Sequence, residues 1–317
     1  MSEDISIQNK KEIGIQFTYP WKIFFWESFI FSLTMALGIF TGLRLGGFLV
    51  VEEIFPPITI SPPSPALPNI SLSSPTASPT PFFSLGEFII YFLFTLLFVF
   101  FVIFILKSKK IKRIIFKTLF IITTGLGGVL TLGVWHMGFI TLIVIGFLLF
   151  AWLQTGSILI HNLLLILGIV GLGSSLGLRI EPWTGVIILI IFSIYDYIAV
   201  YKTKHMIKMA KEMVEQGAVL AIIIPQKTSD FKANLKEVKP GGKFLILGGG
   251  DIAFPLLFAV SLIPLGIINS IIIAVFALIG LFVSFLIFIN QKVRKPIPAL
   301  PPIALFSIIG FLITLLI

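Results

Sequence analysis

The sequence predicts an all-α polytopic membrane protein of about nine transmembrane helices, and three observations predict it. Of 317 residues, 57% are hydrophobic and only 12% are charged, about half the charged share of an ordinary soluble domain. The mean hydropathy is +1.09. Apolar runs of about 20 residues, enough to cross a ~30 Å hydrocarbon layer, recur from Trp26 to the C-terminus. A transmembrane barrel is excluded, because its strands would alternate apolar and polar residues, whereas these runs are apolar on all faces.

The spans fall near residues 27–50, 84–106, 114–134, 138–154, 158–177, 183–201, 246–267, 269–290 and 299–317, with a break near Pro264 and Gly266. Loop charge orients them. Lys10, Lys11 and Lys22 precede the first span, and Lys107, Lys109, Lys110, Lys112 and Arg113 follow the second. Lys202, Lys204, Lys208 and Lys211 follow the sixth, and Lys292, Arg294 and Lys295 the eighth. With nine spans these clusters share one side, and the positive-inside rule makes that side cytoplasmic. The chain then divides into a cytoplasmic segment 1–26, six spans over 27–201, a cytoplasmic loop 202–245 and three spans over 246–317, with an external C-terminus.

The external loop 51–83 carries no Lys or Arg, is rich in Pro and Ser, and reads as extended and disordered. Its sequon Asn69-Ile70-Ser71 is either a glycosylation site or an unused match. In the cytoplasmic loop, Lys202 to Glu215 has helical periodicity with Met206, Met209 and Met213 on one stripe. Val219 to Ile224 is a β-branched run too short to span, and reads as a strand. Lys243 to Leu247 is a second short segment with which it would form a β-hairpin between the sixth and seventh spans.

The net charge of +9 is explained by the basic flanks of the spans, so no nucleic-acid partner is expected; the lipid bilayer is the expected surroundings. The chain has no cysteine, which excludes disulfides, a thiolate nucleophile and a cysteine metal site. Its three histidines, His136, His161 and His205, are scattered, so no metal site and no cofactor is expected. Met1 to Tyr19 is polar and shows no cleavable signal peptide. Arg44, within the first span, either snorkels outward or pairs with Glu52.

The chemistry rests on two acids. A carboxylate at the centre of a spanning helix costs about 2.5–3.5 kcal/mol on insertion scales, so it points to function. Asp196 lies inside the sixth span, in Ser193-Ile194-Tyr195-Asp196-Tyr197, and Asp251 opens the seventh, in Leu247-Gly248-Gly249-Gly250-Asp251. Asp196 is about 9 Å along a helix from Lys202, and Asp251 about 12 Å from Lys243. Their spans are consecutive and antiparallel, so both acids occupy one layer. Two such carboxyl groups share a proton, one serving as base and the other as acid, which activates water without a metal. Gly248, Gly249 and Gly250 either open a path for another backbone or simply pack helices. The proline-rich run Pro296 to Pro302 leaves backbone groups unpaired at the depth of the aspartates, tolerable where they line a wet cavity.

Together, Tyr195-Asp196, Gly248-x-Gly250-Asp251 and Pro298-Ala299-Leu300 resemble the three signatures of the presenilin and signal peptide peptidase family, the GxGD intramembrane aspartyl proteases. The resemblance covers the chain from about Glu181 onward. It implies a presenilin-like fold, Asp196 and Asp251 as catalytic dyad, and Tyr195 in support. It further implies Gly248 and Gly250 beside the substrate backbone, and Pro298, Ala299 and Leu300 shaping the site. Transmembrane helical proteins or peptides would be the substrates. The orientation matches presenilin, and the moderate length suggests a microbial, archaeal homologue in a prokaryotic cell membrane. The tetrapeptide Pro65-Ala66-Leu67-Pro68 in the external loop repeats the last signature by coincidence.

Three rivals stand beside this reading. Prepilin peptidases also use a GxGD aspartate, but resemble a pattern with Lys two positions later, where this chain has Ala253. A proton- or sodium-coupled secondary transporter would use the same acidic pair, although no inverted repeat is evident. A catalytically idle chaperone on the same scaffold is the third.

Overall fold

The computed structural model describes residues 20–54, 109–135, 138–203, 219–238, 243–291 and 296–316, with residues 86, 90, 212–214 and 217. Five long helices come first: α1 (Pro20–Ile54), α2 (Lys109–Gly133), α3 (Gly138–Thr155), α4 (Ile158–Gly177) and α5 (Pro182–Tyr197). A hairpin follows, β1 (Ala221–Pro225) and β2 (Phe244–Gly248), then α6 (Gly249–Ser261), α7 (Ile267–Ile289) and α8 (Leu300–Thr314). Six helices among the described residues are long and apolar enough to cross a membrane, and Gly249–Leu265 and Leu300–Thr314 are shorter apolar ones. Most of the predicted second span, the sequon and most of the methionine-striped segment lie outside the described residues.

Local chemistry sets the helix ends. The first helix begins at Pro20, seven residues before the predicted span, because Pro opens a helix without losing a needed N–H. The predicted seventh span began at 246, but residues 246–248 belong to β2, where they pair with β1 before the chain turns helical at Gly249. The break near Pro264 and Gly266 is a 3₁₀ turn, Ile263–Leu265, ended by Gly266 at φ 127°, a conformation that excludes most side chains.

α6 is the central element. Ile252, Leu256, Phe258, Ala259 and Val260 are fully buried, although they point in all directions around its axis. It packs on α1, α4, α5, α7 and α8. Lipid tails are as apolar as Leu, so apolar burial drives helix association in a bilayer weakly; close approach of small residues and interhelical hydrogen bonds drive it instead. Glycines supply that approach here. A Cβ on Gly38 would strike Leu256, and one on Gly185 the Phe258 ring. Ser174 donates to the Gly38 carbonyl at 2.7 Å. α2 and α4 meet backbone to backbone, since a Cβ on Gly171 or Gly127 would collide with the carbonyl of Gly127 or Gly168.

The hairpin is antiparallel, with Ala221 opposite Gly248 and Pro225 opposite Phe244. Ile222, Ile223 and Ile224 are fully buried, whereas β2 is only partly covered. The segment between the strands folds back on the α3–α4 turn: Ile158 N–H donates to Ala233 at 3.1 Å and Leu235 N–H to Gly156 at 2.8 Å. Asn234 donates to the Thr155 carbonyl at 2.7 Å, and Trp26 of α1 packs edge-on against Phe231.

Gly171→Val drives a branched side chain into the α2 backbone, where neither helix can yield without separating. It is expected to destabilise the bundle by about 1–3 kcal/mol or more, read as a lowered thermal midpoint in detergent, while Gly146→Val, with open space around it, shows little change.

Candidate active site

Both sequence-predicted aspartates come to one place, at helix ends. Asp196 is the penultimate residue of α5, and a π-helical turn, Ile198–Lys202, follows it directly; such irregular turns favour functional sites. Asp251 is the third residue of α6, whose N-cap is Gly248. From there its carboxylate reaches back to the Gly248 amide, as the acid of a capping box does. The positive end of the helix dipole also favours an acid in this first turn.

Their depths match. Phe192, one turn before Asp196, stacks on Phe254, one turn after Asp251, with ring centroids 3.9 Å apart. Since α5 and α6 run in opposite directions, that stack brings the two acids to one level. Asp196 is 5% exposed and Asp251 8%, and each lies within electrostatic reach of the other. The aromatic pair closes the side of the site remote from the hairpin.

The third signature meets the first through its backbone. Leu300 N–H, at the start of α8, donates to Asp196 Oδ2 at 3.3 Å. The first N–H groups of a helix have no partner within it, and Pro301 and Pro302 have none to offer, so Leu300 is the one free donor before Ile303. Pro298 and Leu300 are buried and Ala299 half-buried. α8 is held there by α7, where a Cβ on Gly280 would strike the Pro302 carbonyl at 2.6 Å.

The glycines differ in what approaches them. The backbone that comes close is the protein's own: Gly249 N–H donates to the Leu220 carbonyl at 3.0 Å, and a Cβ on Gly249 would sit 2.9 Å from that oxygen. A Cβ on Gly250 would meet only the Phe254 ring, at 3.2 Å. Tyr195 is half exposed. Arg44 lies 4.8 Å over the Trp135 ring, far from the aspartates in the chain's order.

Sequence reasoning missed one acid. Glu27 of α1 is 6% exposed, lies within electrostatic reach of Asp251, and has an Oε2 without a hydrogen-bond partner. Its position at the very edge of the first apolar run hid it among flanking polar residues. No group of three metal-ligating residues occurs among the described residues.

A pair of buried acids on facing helices, with a helix N-terminus aimed at one of them, is an arrangement that aspartic protease chemistry requires. The chain belongs to the signal-peptide peptidase, presenilin aspartyl protease family, whose sequence model matches residues 66–317; the likeness thus reaches well before Glu181, where the motifs alone had placed its start. The fold resembles the structure of a presenilin family intramembrane aspartate protease in two crystal forms. One match has 17% identity, a TM-score of 0.51 and covers 93% of this chain and 94% of the other. The second has 20% identity, a TM-score of 0.51 and covers 90% and 96%. A comparison with curated protein sequences finds no match.

Gly249→Ala places a methyl group against a backbone carbonyl, so the hairpin and α6 must part. It is expected to reduce proteolysis about tenfold or more, since small misplacements of a catalytic group carry penalties of that order. Gly250→Ala, facing a side chain that can turn, is expected to cost less; parallel cleavage assays on folded protein check the order.

Proposed function

We propose that this chain hydrolyses peptide bonds within transmembrane helices of membrane-protein substrates, with Asp196 and Asp251 as its catalytic dyad. The observation that carries the reading is the placement of two buried carboxyl groups at one level on antiparallel helices, within electrostatic reach of each other. One carboxylate takes a proton from a water molecule, whose oxygen bonds to the scissile carbonyl carbon. The other carboxyl group, protonated, donates to the carbonyl oxygen. The C–N bond then breaks as the leaving nitrogen takes a proton from the dyad, and one hydroxyl of the gem-diol returns its proton to the dyad as the new carboxyl C=O forms. The Leu300 N–H bond keeps Asp196 oriented while protons move. Tyr195, Gly248, Gly249, Gly250, Pro298, Ala299 and Leu300 support the dyad or line the path of the substrate.

A spanning helix hides its peptide bonds in i→i−4 hydrogen bonds, so it must unwind before it is cut. The unwound backbone needs new partners in the membrane. The hairpin ends at Gly248, three residues before Asp251, so a substrate strand added to it is led to the dyad. The basic flanks support an N-terminus on the cytoplasmic side, in the cell membrane of a prokaryote. The transporter alternative draws no support from the family match or the fold neighbours.

Asp196→Asn and Asp251→Asn conserve shape and are each expected to cut the rate by about 10²–10⁴ or more, with the fold intact. Purified protein incubated with a single-span peptide, and mass analysis of the products, checks this; near-normal cleavage by either variant removes the dyad. Ile222→Pro deletes a ladder donor facing β2 and is expected to reduce proteolysis more than thermal stability; equal cleavage by the folded variant removes the strand-addition step.

A further inference from the structure

A two-stranded hairpin has two outer edges, and an added strand can join either. In this hairpin the edges are unequal. In an antiparallel pair, alternate residues turn their N–H and C=O toward the partner strand and the others turn them away. Gly249 N–H reaches Leu220 and Gln226 N–H reaches Lys243, which fixes the parity: Ile222 and Ile224 face β2, while Ala221 and Ile223 face away from it.

That outward edge of β1 is already taken, by side chains of α4. Asn162 Nδ2 donates to the Ile223 carbonyl at 2.7 Å, and Ile223 N–H donates to Asn162 Oδ1 at 3.0 Å. One primary amide thus makes both bonds that a neighbouring strand residue would make. His161 Nε2 lies 3.2 Å from the Ala221 carbonyl; a carbonyl only accepts, so that nitrogen carries the proton. The ring is held in place by stacking on Phe120, at 4.7 Å and 8°. Asn162 is 4% exposed and His161 fully buried. On β2 the matching outward residues are Phe244, Ile246 and Gly248, all partly exposed, and the Gly248 amide faces Asp251.

We propose that Asn162, seconded by His161, is a positioning residue for proteolysis: it closes the inner edge of the hairpin as a one-residue surrogate strand, leaving a substrate the β2 edge and a single register there. The inference rests on strand addition as proposed above. Its physical logic is selection against alternatives. A bare β1 edge would offer a competing docking line that leads away from the aspartates. A hairpin loose against α4 would let the substrate slip by two residues, the smallest shift that keeps the same side chains on each face.

Asn162→Leu keeps the number and branching of side-chain heavy atoms and removes both bonds. Wild-type protein in lipid vesicles first cuts a single-span peptide; failure there counts against the proposed function, not against Asn162. Given that cleavage, Asn162→Leu is expected to lower kcat/KM about tenfold or more, chiefly through KM, and to spread the cut to bonds two residues away. A folded variant with unchanged efficiency and one unchanged cut overturns the proposal. A second measurement leaves Asn162 in place. The chain has no cysteine, so Ile246→Cys or Ile223→Cys, each with Asp251→Asn, gives a single thiol for disulfide capture of a peptide bearing one cysteine near its cut. Capture at position 246 and not at 223 is expected. Capture at 223 equal to that at 246, or at neither, overturns the proposal.

Discussion

A carboxyl group in the hydrocarbon layer is the constraint from which the rest of this architecture follows. Its polar surface must be met by other polar groups, and a bundle of apolar helices has few to spare. The bundle finds them where regular structure stops. Asp251 sits where β2 becomes α6, and is met by the Gly248 amide. Asp196 sits where α5 becomes a π turn, and is met by the unused first amide of α8. Among the described residues, each acid is therefore met by a backbone amide.

Building a site from element ends places heavy demands on the helices behind it. α6 is short because its first turn is given to Asp251 and its last to the Gly266 break, and it is buried on every side by longer helices. The glycines at Gly38, Gly173, Gly177 and Gly185 let those helices close on it. In water the same closeness would be a modest gain on top of apolar burial; in lipid it is the main source of association. Packing of the central helix and alignment of the dyad are for this reason one problem, since any side chain that pushes α1, α4 or α5 outward also moves an aspartate or the hairpin that precedes it.

Much of this was legible in the sequence, for reasons that can be named. Intramembrane acids are rare enough that Asp196 and Asp251 stood out, and the β-branched run before Pro225 announced β1 through its shortness alone. The amide that caps the outward edge of β1, however, belongs to Asn162, 61 positions from its partner, and no local pattern links them. Asn162 in isolation reads as a stray polar residue in an apolar run, and His161 as a residue near a span end. Glu27 was lost in the polar flank because apolar runs do not mark where a helix begins; Pro20 does, seven residues earlier. For the Gly248–Gly250 run the sequence left open a path for another backbone or close packing, and it could not show that the carbonyl against Gly249 is that of Leu220, 29 positions earlier.

The hairpin resolves a conflict that any protease of helical substrates faces in a membrane. An unwound substrate exposes N–H and C=O groups that lipid cannot satisfy, yet an enzyme that kept a fully open sheet there would expose the same groups itself between turnovers. Here the exposure is cut to one short edge. β1 is sealed by the Asn162 amide and the His161 ring, the strand ends are tied by Leu220 to Gly249 and Gln226 to Lys243, and on β2 the outward Gly248 amide meets Asp251, while among the described residues no hydrogen-bond partner meets the outward groups of Ile246. The edge that no described residue pairs is also the one that runs into Asp251. Under the strand addition proposed above, the same few backbone groups set the direction in which a substrate is drawn toward the acids.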